Sequence, residues 1–364
     1  MVYYINFVIE ILAAMILLRG VMANTDLLQQ AVMSNDRRKW YCIFCGTLWI
    51  LISGLRGLSV GADTEAYYYM YLNVKNMSLD RLYQNIILKI TSNIGNKDPG
   101  YDLFVKLTQV ISDDYQVFLV VVAVIFMVPF LIWVWRESKN PLISFILFSS
   151  LFYAFFAITG IRQTIATSLI VLIGDRFVKE RKLIPFLVVA FFAALIHKSA
   201  LVFVPFYFLS RIKIRKTTSA LAGLAFALAF IFRGTLKNLF ISSSGYSDYA
   251  ADYEGAGTYT FTFILIALYV LSILSYRRDK NLKNNGRFYV ALYLAMFFVP
   301  LTFLNPSAMR IVQYFSIYLV LLIPEMIDAA FTKQSKKIAT AVAVSMLAVL
   351  LIRSNPSYSF FWND

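Results

Sequence analysis

The chain of 364 residues has one histidine, two cysteines and, at 15%, few charged side chains. With 60% hydrophobic residues and a mean hydropathy of +0.68, that scarcity of charge excludes an ordinary soluble domain. Cys42 and Cys45 lie three apart in an apolar run and share a helix face. No further ligand stands near them, so they read as packing residues rather than a redox or metal pair. Period-2 alternation is missing, which excludes a membrane β-barrel. No internal repeat of the inverted-repeat transporter kind is visible. The N-terminus lacks a basic n-region and a small-residue cleavage site before Arg19, and Glu10 interrupts its apolar run. It reads as a first transmembrane helix rather than a signal peptide.

What the chain has is apolar runs long enough to cross a hydrocarbon core of roughly 30 Å. Only closed helices satisfy their backbone groups there. The fold class expected is all-α, a polytopic transmembrane helical bundle forming one integral membrane domain over 1–364. The runs predict about twelve spans: 2–19, 40–55, 115–135, 141–158, 160–178, 182–196, 199–210, 217–232, 259–276, 287–303, 308–328 and 337–353. Residues 182–210 read equally as one broken helix or a re-entrant pair, which would make eleven.

In a soluble chain a net charge of +14 would point to nucleic acid; here the basic residues flank spans and set orientation, and no nucleic-acid partner is expected. One set of loops, from Arg37-Arg38-Lys39 to Lys333/Lys336/Lys337, holds 22 of the 34 basic residues. The alternate set holds 12, half of them in segment 56–114, where seven acids offset them. By the positive-inside rule the first set is cytoplasmic and both termini lie outside.

Two outward segments are more than connectors. In 56–114, Leu79, Leu82, Ile86, Ile87 and Ile90 recur at helical spacing, as do Tyr101, Phe104, Leu107 and Ile111. They predict short amphipathic helices in the outer interface, with a turn at 93–100 between them. The second segment, 233–258, is tyrosine-rich and glycine-hinged towards its end. It reads as an external flap or as a plain solvated connector.

Charged residues placed mid-membrane cost about 2.5–3.5 kcal/mol each on insertion scales. Arg56, Asp63, Arg162, His197 and Arg310 all fall on the outward side of this topology. Arg56 leaves the second span beside glycines 54, 57 and 61, with Asp63 just beyond. A guanidinium binds phosphate oxygens bidentately, and a nearby carboxylate can take a proton from an attacking hydroxyl. A snorkelling arginine and an N-capping aspartate account for the same residues equally well. Arg162 and Gln163 sit in a loop so short that both must enter the outer end of the bundle. His197, the sole histidine, stands beside Lys198 at an outward break, as a hydrogen-bonded core residue or as a proton-transfer or diphosphate-binding group. Arg310, with Gln313 and Tyr314 one turn on, starts a helix whose N-terminus favours anions. Three arginines, a lysine and a histidine around one aspartate do not suit an ion pathway. They suit a diphosphate head on a lipid tail. Tyr67, Tyr68, Tyr69, Tyr71, Tyr246, Tyr249 and Tyr253 either stack on sugars or form the interfacial aromatic belt.

The run Ser53-Gly54-Leu55-Arg56-Gly57-Leu58-Ser59-Val60-Gly61-Ala62-Asp63-Thr64-Glu65-Ala66-Tyr67 resembles the signature of the EpsG family of exopolysaccharide proteins, grouped with Wzy-type polymerases. Gly160-Ile161-Arg162-Gln163, then His197-Lys198-Ser199-Ala200-Leu201, resemble its second and third motifs, and Arg310 with Tyr314 its late Arg-x-x-x-Tyr element. The likeness runs from about 40 to 330. It implies a bacterial inner-membrane glycosyltransferase joining undecaprenyl-diphosphate-linked oligosaccharide repeat units at the outer leaflet, beside a flippase and a chain-length regulator. In that reading Arg162 and Arg310 hold the diphosphate, supported by Arg56 and Lys198, and Tyr314 belongs to the substrate site. Asp63 is the preferred base, His197 the competing one, and Gln163 and Tyr67 contact sugar. The first external segment also resembles that of GT-C glycosyltransferases, as a fold-level analogy. With neither an Asp-x-Asp pair nor a nucleotide-sugar fingerprint, no metal, no cofactor and no nucleotide-sugar donor are expected. Another lipid-linked-sugar transferase or ligase would use the same charges. A flippase or transporter would instead place charges at mid-depth, where Glu10 and Glu325 are the only acids.

Overall fold

The computed structural model describes residues 1–18, 27–91, 98–244, 258–279, 282–354 and 357–363. Among them the chain is helical throughout, with one isolated antiparallel bridge between Arg56 and Phe360. The elements are α1 (Val2–Leu17), α2 (Leu27–Gly54), α3 (Thr64–Lys75), α4 (Leu79–Thr91), α5 (Pro99–Ile111), α6 (Tyr115–Glu137), α7 (Pro141–Ser150), α8 (Tyr153–Thr159), α9 (Ile161–Thr167) and α10 (Gly174–Lys179). They continue with α11 (Leu183–Ile196), α12 (Phe206–Leu209), α13 (Lys216–Ile231), α14 (Arg233–Ser244), α15 (Tyr259–Ser275), α16 (Leu282–Phe298), α17 (Met309–Ser316), α18 (Leu319–Ala330) and α19 (Lys333–Ser354). The protein is a polytopic helical membrane bundle.

Each predicted span coincides with a helix or a pair of helices, but the spans are not uniform. Four described helices are long and apolar enough to cross a membrane alone, and up to seven spans result if each bent pair counts as one. The bent pairs turn by 60° at α7/α8, 84° at α13/α14 and 49° at α17/α18. Val2–Leu17, Leu183–Ile196 and Lys198–Leu209 are shorter apolar helices. The described helices that qualify by length and composition are thus fewer than the eleven or twelve spans expected, because several segments are short or broken. Helix bends leave backbone groups needing partners, and side chains supply them. Tyr153 donates to the Ser316 carbonyl and Ser144 to the Val320 carbonyl, tying α7 and α8 to α17 and α18. Between α9 and α10 the chain widens into a π-helix, Ser168–Ile173, where Ser168 donates to the Ile125 carbonyl of α6.

α1, α2, α6 and α7 meet in an aromatic core that includes Trp49, Phe126, Phe130 and Phe148. Cys42 and Cys45 are fully buried in it, as packing residues would be. Glu10 lies in the same core, bonded to Asn6, Trp49 and Ser149 side chains. A buried carboxyl group so surrounded joins α1 to α2 and α7. At the basic-loop end of the bundle, Asp175 takes bonds from Arg287, Trp133 and Tyr318. Arg287 also pairs with Glu137 at 2.8 Å. Counted in the sequence as one more loop cation, Arg287 is only 3% exposed, because its planar fork meets two carboxylates.

At the opposite end α4 and α5 form the expected amphipathic hairpin, pinned by Lys89 and Asn85 on Asp102. Its apolar residues divide between two faces. Leu82, Tyr101 and Val105 pack inward, while Leu79, Leu107, Val110 and Ile111 are exposed and suit a membrane interface. The flap expected over 233–258 begins instead as helix α14; residues 245–257, and the turn over 93–97, lie outside the described residues.

Candidate functional site

Two glycines decide how the site end is assembled. After α2 the chain turns at Gly61, where φ is +94°, a conformation L side chains rarely adopt. A Cβ there would meet Thr64 Oγ1 at 2.8 Å and Thr159 Oγ1 at 3.2 Å. The turn is fixed by Thr64 donating to the Val60 carbonyl and Tyr115 donating to the Thr64 carbonyl. It leaves Asp63 at the N-cap of α3 without a side-chain cap bond. Its carboxylate reaches Arg310 instead, with Nη2 donating to Oδ2 at 2.8 Å. The plain N-capping account is not the one the fold uses. Asp63 and Arg310 keep 34% and 31% side-chain exposure, so this pair lies at the surface of the bundle end.

The second glycine is Gly100 at the start of α5. A Cβ on it would sit 2.8 Å from Leu195 Cβ and 3.0 Å from the Leu195 carbonyl oxygen. That close approach of α5 to α11 brings Asp98 against the break that follows α11, where His197 is extended and Lys198 opens a 3-10 turn. Asp98 Oδ2 meets His197 Nδ1 at 3.1 Å and Arg162 Nη1 at 2.9 Å. Asp98 Oδ1 accepts the Lys198 backbone N–H at 3.0 Å. Burial alone would raise the Asp98 pKa. The His197 hydrogen bond, the Arg162 charge and the Lys198 N–H outweigh it and hold the carboxyl below its ordinary value. The Arg162 guanidinium is flanked by the Tyr67 and Tyr101 rings, each at 5.7 Å, in cation–π geometry. Its Nε points at the Tyr67 hydroxyl at 3.5 Å.

Gln163 ties the two ion pairs together. Its Nε2 donates to the Arg310 carbonyl at 2.5 Å and to Gln313 Oε1 at 2.9 Å. Tyr314 shares a 3.0 Å hydrogen bond with Ser199, joining α17 to the turn after His197. Asp63, Arg162, Gln163, His197, Lys198, Tyr67, Arg310 and Tyr314 are thus linked at one end of the bundle. Lys198 enters the network through its backbone. Tyr67 joins Tyr71, Tyr101 and Tyr115 in a packed cluster under α3 and α5 rather than standing open. Tyr69 remains exposed, and Tyr246, Tyr249 and Tyr253 lie outside the described residues.

Arg56 stands apart from this set. It is 1% exposed, and its guanidinium donates to the carbonyls of Ser53 and Ile158. The tail covers it: Gly57 N–H donates to the Ser359 carbonyl at 3.0 Å and Phe361 N–H to the Leu55 carbonyl at 3.1 Å. Arg56, expected among the substrate-binding residues, is placed away from the two ion pairs, with both of its amino groups on carbonyls where α2 and α8 end. The tail itself carried no readable motif.

Asp98 is the residue sequence reasoning missed. Beside Pro99-Gly100 it reads as a turn residue, and nothing in its neighbours announces Arg162 or His197. The available signal was the pair Pro99-Gly100, a helix start with room for close approach. Among the described residues no three His, Cys, Asp or Glu side chains gather as a metal would require.

Comparison with known proteins gives one match. No curated protein and no solved structure matches the chain. The family description EpsG family matches residues 39–363, which takes in the Gly61 turn, both ion pairs and the tail over Arg56. On that extent of agreement, the chain belongs to the EpsG family.

Proposed function

We propose that this protein is a polysaccharide polymerase, a glycosyltransferase joining undecaprenyl-diphosphate-linked oligosaccharide repeat units at the outer face of the bacterial inner membrane. EpsG membership supports a polymerase-like role in polysaccharide synthesis. One observation carries the finer reading. Arg162 and Arg310, from separate helices, are each paired with a carboxylate and joined through Gln163 at the end bearing 56–114.

The reaction displaces a diphosphate. A hydroxyl on the acceptor unit attacks the anomeric carbon of the growing chain, a new C–O bond forms, and the bond to the polyprenyl diphosphate breaks. Charge grows on the leaving diphosphate, and fixed guanidiniums nearby stabilise it. Arg310 is the accessible binding group. An arriving diphosphate carries more charge than Asp63 and competes with it for Nη2, which releases the Asp63 carboxylate to take the hydroxyl proton. Arg162 supplies the second fixed charge. Gln163, buried between the two arginines, holds α9 to α17 through its Nε2 bonds. The basic-loop asymmetry supports placing this end outside, with both termini on the same side.

The test is replacement of Arg162 in polysaccharide-producing cells, scoring polymer length at matched protein abundance. Arg162→Ala leaves single repeat units on lipid, and Arg162→Lys recovers little because lysine lacks the planar fork. Long lipid-linked chains instead of single units would identify a ligase. Unchanged polymer would remove Arg162 from the site.

A further inference from the structure

Asp98 is a carboxylate that the proposed chemistry does not use, yet it is the most enclosed charge at the site. Its side chain is 2% exposed, His197 7% and Arg162 17%. Both oxygens are engaged, by groups from two separate segments: Arg162 on α9, and His197 with the backbone N–H of Lys198 at the break after α11. Burying a carboxylate is costly unless it is paired and fully bonded. Here the bonding runs outward, from histidine through carboxylate to the Arg162 guanidinium, the most exposed of the three.

We infer that Asp98 is the positioning residue of the site, holding Arg162 in its phosphate-binding orientation, and that His197 buttresses Asp98 rather than transferring a proton. The inference rests on the polymerase reading and deepens it. A guanidinium on a long side chain has many orientations. The bond at Nη1 and the two flanking tyrosine rings select one before substrate arrives, so no ordering cost falls on the reaction. His197 spends Nδ1 on Asp98 and lies beneath the arginine at 5% exposure. That is the place of a support. Asp63, one third exposed and released when Arg310 takes the diphosphate, is the carboxylate a substrate hydroxyl reaches. Two aspartates thus divide the work by environment: the enclosed one orients and the open one accepts the proton.

Two readouts test this: polymer length in producing cells at matched abundance, and binding of farnesyl diphosphate to the purified full-length protein. Asp98→Asn weakens binding nearly as much as Arg162→Ala, by on the order of tenfold to a hundredfold, and shortens polymer with it. Because Asp98 acts through Arg162, the double variant binds farnesyl diphosphate no more weakly than Arg162→Ala alone. A merely structural aspartate would add its loss to that of the arginine, and additive losses overturn the inference. His197→Asn places an amide N–H where Nδ1 stands but cannot exchange a proton at neutral pH. It keeps most of both readouts, whereas His197→Ala loses them. If His197→Asn binds farnesyl diphosphate normally but makes no polymer, the histidine transfers protons and the assignment is wrong. If Arg162→Ala leaves polymer and binding intact, the polymerase reading itself fails; if only the double-variant or His197→Asn result goes astray, that reading stands and this inference alone falls.

Discussion

Asp63 and Arg310 are 247 positions apart in the chain and 2.8 Å apart in space. The contact closes the site across α3 and α17, and it brings together the first and last motifs of the family resemblance. With both side chains about one third exposed, the pair resembles a surface ion pair in energy, about 0–1 kcal/mol.

That weak energy separates folding from function at Asp63. Asp63→Asn should melt within about 1 kcal/mol of the parent protein while polymer disappears. Thermal melting of the purified protein and polymer length in producing cells measure the two effects. A large drop in melting temperature together with normal polymer would make Asp63 a structural residue.

Gly100 is the point where α5 touches α11. Gly100→Ala puts a methyl 3.0 Å from the Leu195 carbonyl carbon and oxygen, which are backbone atoms that cannot swing aside. Overpacking of this kind costs about 1–3 kcal/mol. The push falls on Asp98, two residues before, so polymer length should fall along with melting temperature. Parent-like melting would show that the helices have slack there.

The depressed pKa of Asp98 sets the pH range over which it stabilises the fold. A carboxyl whose folded pKa lies below its unfolded one contributes fully above the unfolded value, about 4, and loses that contribution as pH falls through the folded value. The gap in melting temperature between the parent and Asp98→Asn should therefore not narrow from neutral pH down to about 5 and should close only in stronger acid. A gap that narrows between neutral pH and 5 would mean a raised pKa.

The tail over Arg56 predicts a stability effect without a catalytic one of its own. Ending the chain after residue 356 removes four bonds: Gly57 to Ser359, Phe361 to Leu55, Ser59 to Ser359, and Tyr358 to Ile52. At about 1 kcal/mol each, their loss should lower the melting temperature several degrees and admit water to the Arg56 guanidinium. Ser359→Ala, which removes one hydroxyl only, should be nearly silent. An unchanged melt after truncation would show that the tail merely rests on the surface.

Much of the bundle was legible because its physics is local. Apolar run length and the scarcity of charge predict helices, and a helix forms at each expected span. The amphipathic spacing over 79–111 predicts the α4 and α5 hairpin. The residues of the site were legible in kind, since a charge at a span end has few uses in lipid. Their partners were not. Arg56 and Arg162 look alike in sequence, each an arginine beside glycine at a span end. Arg56 faces inward onto carbonyls, and Arg162 meets a carboxylate 64 positions away.

By itself, then, the sequence determined the solvent the chain lives in, where its helices run and which end collects the chemistry, because hydrophobic length and charge cost act along consecutive residues. Tertiary structure decided which carboxylate each arginine meets, which histidine nitrogen is occupied and which arginine is sealed away. Those outcomes depend on how closely two helices approach at Gly61 and Gly100, and no local propensity encodes a distance between segments a hundred residues apart.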